Sequence, residues 1–462
     1  MAATATTGGI TDSSNLSATG SVTLNDVATA GITLDTLEAD ANVILTAAGD
    51  TAITNDAALA LQGAVTGTLN VTSGGAITQN GSIDADSTAS FTAGANAITL
   101  TDAGNDFSGA VSLSNSGTND VALTDTNALD LGTVSVGQDL TVTTGGDLTD
   151  SGAITVAGLG TIVSTGQNIN LGDSTTANFG SIDFAGANVS IKEGSAMELA
   201  ASEATGTLTL EAAGAITQTG AIDADSAANF VAGANAITLT NTVNDFSGAV
   251  SLSNSGTNDI ALKDVNDLEL GTITTGQNLA VTASGSISDS GVITVAGTTA
   301  LDNSGGTNAA IVLDSANVFT GAVSFTTDTG SDITIVDTTA FDVQALAVNS
   351  LSISAGGDIS DSGVLDIATT VSLTTTASNG NVVLDQASDF DGALSVTTDG
   401  TGTTSVTNLT DSIELGTITT AQLALSAAGA ITDSGVVTVS GTTALDNSAG
   451  KDAAITLDSA ST

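Results

Sequence analysis

Two acid pairs, Asp84/Asp86 and Asp223/Asp225, both written IDAD, are the residues whose type and spacing could do chemistry in this chain. Paired carboxylates can share general acid-base work, one holding a proton while the other takes one. An active site usually interrupts a repeat, however, and these pairs belong to one. Other catalytic equipment is missing: Ser and Thr are abundant, but without His or Cys the usual nucleophilic triads cannot form. The only cations are Lys192 (IKEG), Lys263 (LKDV) and Lys451 (GKDA), in unrelated contexts, and there is no Arg to act as the base of a lyase groove. The expectation is a protein that is not an enzyme, with no catalytic, cofactor-binding or metal-ligating residue assigned. Turn aspartates could supply oxygen ligands to Ca²⁺, the one cofactor left open. Yet GGDLTDSG at 145–152 shares only its Gly and Asp with the calcium-loaded GGxGxDx nonapeptide, so the aspartates read as solvated turn formers. Outward Thr pairs, ITLT at 98–101 and LTVT at 140–143, could form the flat hydroxyl ladders of an ice-binding solenoid, although Thr is also an ordinary polar strand residue.

Composition narrows the partners. The 462 residues carry 50 acids against three lysines, a net charge of -47, with no Cys, Pro, His, Trp or Tyr. Such a surface repels phosphate backbones and anionic headgroups, which excludes nucleic acid and anionic membrane surfaces as partners. Without Cys there is no disulfide framework. The start, MAATATTGGITDSS, shows neither a basic leader nor an apolar run, and no stretch approaches the roughly 18 apolar residues of a membrane span. Hydrophobic residues still make up 41%, and the β-branched ones are regularly placed, which is not the signature of disorder.

That regularity is a repeat. The sixteen residues NDFSGAVSLSNSGTND at 105–120 return unaltered at 244–259, and aligning 75–158 with 214–297 gives 60 identities in 84 positions without a gap. A shorter period lies inside. The pattern apolar-Thr/Ser-Asp/Gln-polar begins at Ile10, Ile77, Leu148, Ile216, Ile287, Ile359 and Ile431, and Phe107, Phe179, Phe246, Phe319 and Phe390 keep the same beat of about 70 residues. The expected organisation is one continuous domain over 1–462, with units starting near 10, 77, 148, 216, 287, 359 and 431 and the last one incomplete.

Within a unit, runs such as AVSLS, VALT, LDLG, VSV and LTVTT alternate apolar with polar residues, the period of a half-buried strand. Gly, Asn, Asp and Ser punctuate them as turn formers. Strands this short cannot sustain a sandwich but can stack on copies of themselves. The expectation is therefore an all-β parallel β-helix, or β-solenoid, with three faces per coil. It would have about 23 residues per coil, about 20 coils and three coils per ~70-residue unit, on the order of 95 Å at ~4.8 Å per coil. The two long copies support the inward assignments: Val121/Ile260, Val134/Ile273 and Leu148/Ile287 exchange one apolar residue for another. Outward positions such as Thr124/Lys263, Ala128/Asp267 and Asp147/Ser286 change freely. Val136/Thr275 breaks the rule and is read as a coil corner. The phenylalanines are expected to be core plugs at one azimuth, three coils apart and so out of mutual contact.

Phrases such as NDFSGAVSL, ALDLGTVSVGQDLTVTTGGDLTDSGAITVAG and GAITQTG resemble the repeat regions of filamentous-haemagglutinin-type exoproteins, large adhesins exported by two-partner secretion in Gram-negative bacteria. The resemblance implies a right-handed coil. It also implies a secreted, extracellular or cell-surface location and an outer-membrane transporter as partner of the parent protein. The Asn-Pro motifs of that family's secretion domain have no counterpart here, and AAITLDSAST at 453–462 breaks off within a repeat, so an internal or truncated segment is expected. The expected role is a non-catalytic shaft that presents an adhesive or effector region to a host or neighbouring cell. The alternative is a self-assembling extracellular filament or surface-layer subunit, pairing with itself head to tail.

Overall fold

The alternation builds strands. In the computed structural model, which describes all residues except 19, 40, 41, 174, 409, 449–452 and 460–462, the strand Val121–Asp125 buries Val121, Leu123 and Asp125 and leaves Ala122 and Thr124 half-exposed. Leu140–Thr144 does the same. The described elements are all strands. Two units form, Met1–Ser226 and Ala227–Thr462. Each is a right-handed parallel β-solenoid with a coil of roughly 20 residues, the hand that right-twisted strands impose on a parallel return. Strand partners in successive coils are separated by as few as 16 residues, as for Ala177 and Glu193, and as many as 24, as for Ile287 and Ile311.

Three ladders carry the core of the first unit. One stacks Ile77, Ile98, Val121, Leu140, Gly160, Ile182, Leu199 and Gln218. A second stacks Leu129, Leu148, Ile169, Val189 and Leu208. A third stacks Ile53, Val71, Phe91, Leu113, Val134, Ile154 and Ala177. Consecutive sequence markers therefore fall on different faces: Ile77 is on the first ladder, Leu148 on the second. The first ladder returns to marker sequence only at Ile216–Gln218, seven coils later. In the second unit, Ile287, Ile311, Ile333, Leu351, Val371, Leu394, Leu415 and Asp433 again make seven steps and end in the marker strand Ile431–Asp433. The intervening marker Ile359 lies on another ladder, with Phe341 and Val382.

The coil is thus tighter than 23 residues, and the ~70-residue unit spans about three and a half coils where three were expected. Two units make a whole number of turns, which is why the text recurs best at 139 residues: only then does each residue return to the same face.

This corrects the expected azimuth of the phenylalanines. Phe107, Phe179, Phe246, Phe319 and Phe390 are all buried, but Phe107 stacks on Ala85 and Val65, whereas Phe179 stacks on Val156 and Val136, a different face. Three of them meet other phenylalanines edge to face. Phe91 with Phe107, Phe230 with Phe246 and Phe319 with Phe341 have ring centroids 6.1, 6.1 and 6.2 Å apart, contacts worth about 0.5–1.5 kcal/mol beyond the area they bury. The inward pairs Val121/Ile260, Val134/Ile273 and Leu148/Ile287 are all buried. Val136 and Thr275 are buried too, so this position is no corner. Its strand-end place lets the Thr275 hydroxyl donate to the Asn258 carbonyl at 3.3 Å, which meets the need of a hydroxyl out of water.

Candidate functional site

The acids that recur with the repeat act between coils. In the marker apolar-Thr/Ser-Asp, the carboxylate accepts main-chain N–H groups from a strand bulge or turn one coil further on. Asp12 takes the N–H of Asp35 and of Thr36, each at 3.0 Å. Asp150 takes Gly172 N–H and Thr175 Oγ1, each at 2.8 Å. Asp289 takes Asp314 N–H and Asn317 Nδ2, each at 2.8 Å. Asp361 takes Asp385 N–H at 2.8 Å and Asp433 takes Asp458 N–H at 2.9 Å. Where the marker carries Gln79, its Oε1 accepts Asp102 N–H at 3.0 Å. These bulges and turns would otherwise hold unpaired donors, and a charged acceptor makes the stronger kind of bond. The marker is a staple.

The phrase NDFSG is a second joint. Asn105 is fully buried, and its Oδ1 accepts Ile83 N–H at 2.9 Å from the preceding coil while Nδ2 donates to the carbonyls of Leu100 and Thr124. Asn317 holds Ile293 N–H at 2.8 Å in the same way, and Ser388 holds Leu365 N–H at 3.1 Å. Eighteen residues after the phenylalanine stands a buried acid: Asp125 accepts Phe107 N–H at 2.8 Å, Asp264 accepts Phe246 N–H at 3.0 Å, and Asp337 accepts Phe319 N–H at 3.3 Å. Sequence reading took these acids for solvated turn formers. Their only signal was the fixed distance from Phe.

Burial raises the pKa of Asp125 and Asp337, against the pull of those N–H groups, and pushes Asp264 up to about 6. One oxygen each of Asp125 and Asp264 has no hydrogen-bond partner. Glu193 is more extreme: burial pushes it up to about 8. The N–H of Phe179 is near enough to pull it back a little, but neither oxygen makes a hydrogen bond of good geometry.

The IDAD pairs do not assemble a site of this kind. Asp84 and Asp86 both point out, with Ala85 buried between them, and Asp84 lies opposite Asp106 in the next coil. Partial desolvation, then the charges of Asp86 and Asp106, raise the Asp84 pKa. Asp223 similarly faces Glu203. Among the described residues no group of three or more acids is placed to hold a metal ion. The Thr pairs of ITLT and LTVT stack at most two deep, Thr141 on Thr161 and Thr124 on Thr143, with Ala122 between Thr99 and Thr141; a longer outward row of hydroxyls runs through Thr54, Thr72, Thr92, Ser114, Ser135 and Thr155. Lys192 pairs with Glu211 at 2.8 Å on an exposed surface, worth at most about 1 kcal/mol. Lys451 lies outside the described residues.

One place on the second unit departs from the ladder. Elsewhere the motif Leu-Gly-Thr closes on a serine of the preceding coil: Thr133, Thr272 and Thr417 donate their N–H to Ser112, Ser251 and Ser395 Oγ at 3.1, 3.1 and 3.2 Å. A Cβ on Gly132, Gly271 or Gly416 would sit 2.5, 2.4 or 2.3 Å from that Oγ, so a side chain there would displace the serine from this bond. The copy in the fifth repeat reads Val343-Gln344-Ala345. Gln344 sets a long side chain where those three copies have none. Ser324 Oγ turns to the Thr299 carbonyl instead, and the strand Val323–Thr326 pairs with the next coil only at Val323 and Val343. In the other copies the pairing continues, Leu113 to Val134, Leu252 to Ile273 and Val396 to Ile418. The main-chain bonds donated by Asn115 to Ser135 and by Asn254 to Thr274 have no counterpart at Thr327. The result is an open groove of about 420 Å³ lined by Phe325, Thr327, Leu346, Ala347, Val364 and Asp366. No feature of the sequence reading pointed to it. The signal was the replacement of that glycine by Gln; the copy Leu199-Ala200-Ala201 carries the smaller Ala there and still pairs, Ala185 to Glu203 and Gly186 to Ala204.

Neither the curated proteins nor the solved structures compared with this chain give a match. One family, described as repeats of unknown function (DUF5649), matches six successive segments, 48–114, 118–182, 186–253, 257–326, 330–397 and 401–462. The period of those segments is that of the markers whose staples and joints tie coil to coil, and the chain belongs to this family of repeats.

Proposed function

We propose that this chain is the non-catalytic structural shaft of a secreted bacterial surface adhesin or exoprotein, of the filamentous-haemagglutinin type that its repeat phrases resemble. The observation that carries the reading is the ladder itself. The acids, amides and phenylalanines that recur with the repeat serve cohesion between coils, as a scaffold requires. Two features suit exposure outside a cell. Three lysines and no arginine offer trypsin-like proteases few sites, and a net charge of -47 opposes aggregation of a strand-rich protein. The two-partner transporter and the cell surface are the partners this reading implies.

Immunogold labelling of intact producing cells tests it. Label standing off the outer membrane is expected, and label that appears only after permeabilisation overturns the reading. Electron microscopy of the purified chain separates the shaft from a self-assembling filament, since only the filament would lengthen with concentration.

A further inference from the structure

The groove beside Phe325 combines three properties that select an occupant. Its floor is apolar, with Phe325 and Leu346 still buried but 8% and 5% exposed where the ladder splays, and Val364 standing 48% exposed at the rim. Its edge is main chain: beyond Val323 the strand Val323–Thr326 has no partner in the next coil, and the Thr327 hydroxyl is buried without a hydrogen bond. A strand edge left open in this way is a template for an added extended segment. Its charge is negative, since Asp366 lines the groove and lies directly opposite Asp389 of the following coil, like charges that repel unless a cation stands between or over them. A second copy of this chain, at -47, is electrostatically the wrong occupant.

We propose that this groove docks a short extended segment of another protein that alternates apolar with basic side chains. One apolar side chain seats over Phe325 and Leu346, the segment's main chain bonds the open edge of Val323–Thr326, and a lysine or arginine lies against Asp366. The inference stands on the splayed ladder alone, independently of the shaft reading. Gln344→Gly with Ala345→Thr rewrites this copy to the Leu-Gly-Thr type that closes onto a serine elsewhere and is expected to shut the groove without cutting into the core.

The test is fluorescence anisotropy on the full chain with a labelled peptide of about eight residues alternating valine with lysine, and with a twin carrying glutamate for lysine. The lysine peptide is expected to bind the native chain saturably. Binding to the Gln344→Gly/Ala345→Thr variant is expected to be at least tenfold weaker, and Asp366→Asn intermediate. Circular dichroism and melting confirm that the variants fold. Equal binding to the native and closed chains would mean attraction by net charge alone and overturns the proposal. Equal binding of the glutamate twin, or no binding of the lysine peptide, does so as well.

Discussion

The carboxylate of Asp125 accepts the main-chain N–H of Phe107 at 2.8 Å, reaching from eighteen residues later to the coil before its own. Asp264 and Phe246 repeat the relationship in the second unit. The bond closes a donor that the two-residue strand Asp106–Phe107 would leave unpaired beside a buried ring. It brings a carboxylate into the core to do so, and that trade predicts how each position responds to change.

Asp125→Ala removes the acceptor and strands the Phe107 N–H, a loss of about 1–3 kcal/mol. Asp125→Asn keeps an acceptor oxygen and discards a charge that burial disfavours, so it is expected to cost much less. An amide already occupies the corresponding position, for Asn408 lies fully buried eighteen residues after Phe390, its Oδ1 accepting from Thr410. Urea unfolding of the two variants checks the ranking, and an Asn variant as damaged as the Ala variant would show that the charge itself is needed.

The pH dependence follows from the same burial. Glu193 is held at about 8 against an ordinary 4.5, and Asp264 at about 6 against 3.8. Both are raised, so the folded chain keeps protons that the unfolded chain has already released. Their contribution is most favourable below the ordinary carboxylate range and is lost as pH rises through about 6 and then about 8. Asp12 and Asp50, held low by the N–H groups of Asp35 and Thr68, act in the opposite sense but only below 3.8. The unfolding midpoint is therefore expected to fall between about pH 5 and pH 9, with Glu193→Gln flattening the upper part of that fall. A midpoint that climbs over this interval contradicts the assignment.

Not all acids of the repeat are equivalent, and the difference can be measured. Asp289→Ala releases the N–H of Asp314 and the amide of Asn317 and is expected to cost about 1–3 kcal/mol, with faster hydrogen exchange confined to the bulge it staples within Ile311–Phe319. Asp84→Ala removes only a carboxylate crowded by Asp86 and Asp106 and should be neutral or mildly stabilising, within about 0.5 kcal/mol. Equal losses at the two positions would remove the distinction between staple and surface acid.

Period-two alternation made the strands and the inward set readable, because a one-residue slip would turn Val121 or Leu148 out to solvent. The number of coils per unit was not readable. LDLG and VSV look like two strands, yet they form one bent strand, Leu129–Val136, in which Leu131 and Gly132 are buried in succession. A bend of that kind puts two inward residues side by side and hides the corner from any count of alternation. The buried acids were hidden for another reason. Asp125 has the residue type of a turn former, and only the geometry of the next coil shows that its side chain points inward.

The half-integral unit yields the sharpest prediction about architecture. Deleting 77–215, two units, joins the chain so that the marker strand Ile216–Gln218 takes the place of Ile77 on the ladder to which it already belongs, seven coils on. Every face then meets its own kind. Deleting 77–147, one unit, brings Leu148 to that place from the ladder of Leu129 and Ile169, so the staples and buried acids that follow arrive on the wrong face. The longer deletion is expected to leave cooperative unfolding with a midpoint near that of the parent. The shorter one, although it removes half as much, is expected to lower the midpoint markedly or broaden the transition. Thermal melts followed by circular dichroism decide the matter, and a one-unit deletion as stable as the two-unit deletion would show that the three faces are interchangeable and that the coil, with no regard to face, is the unit of the fold.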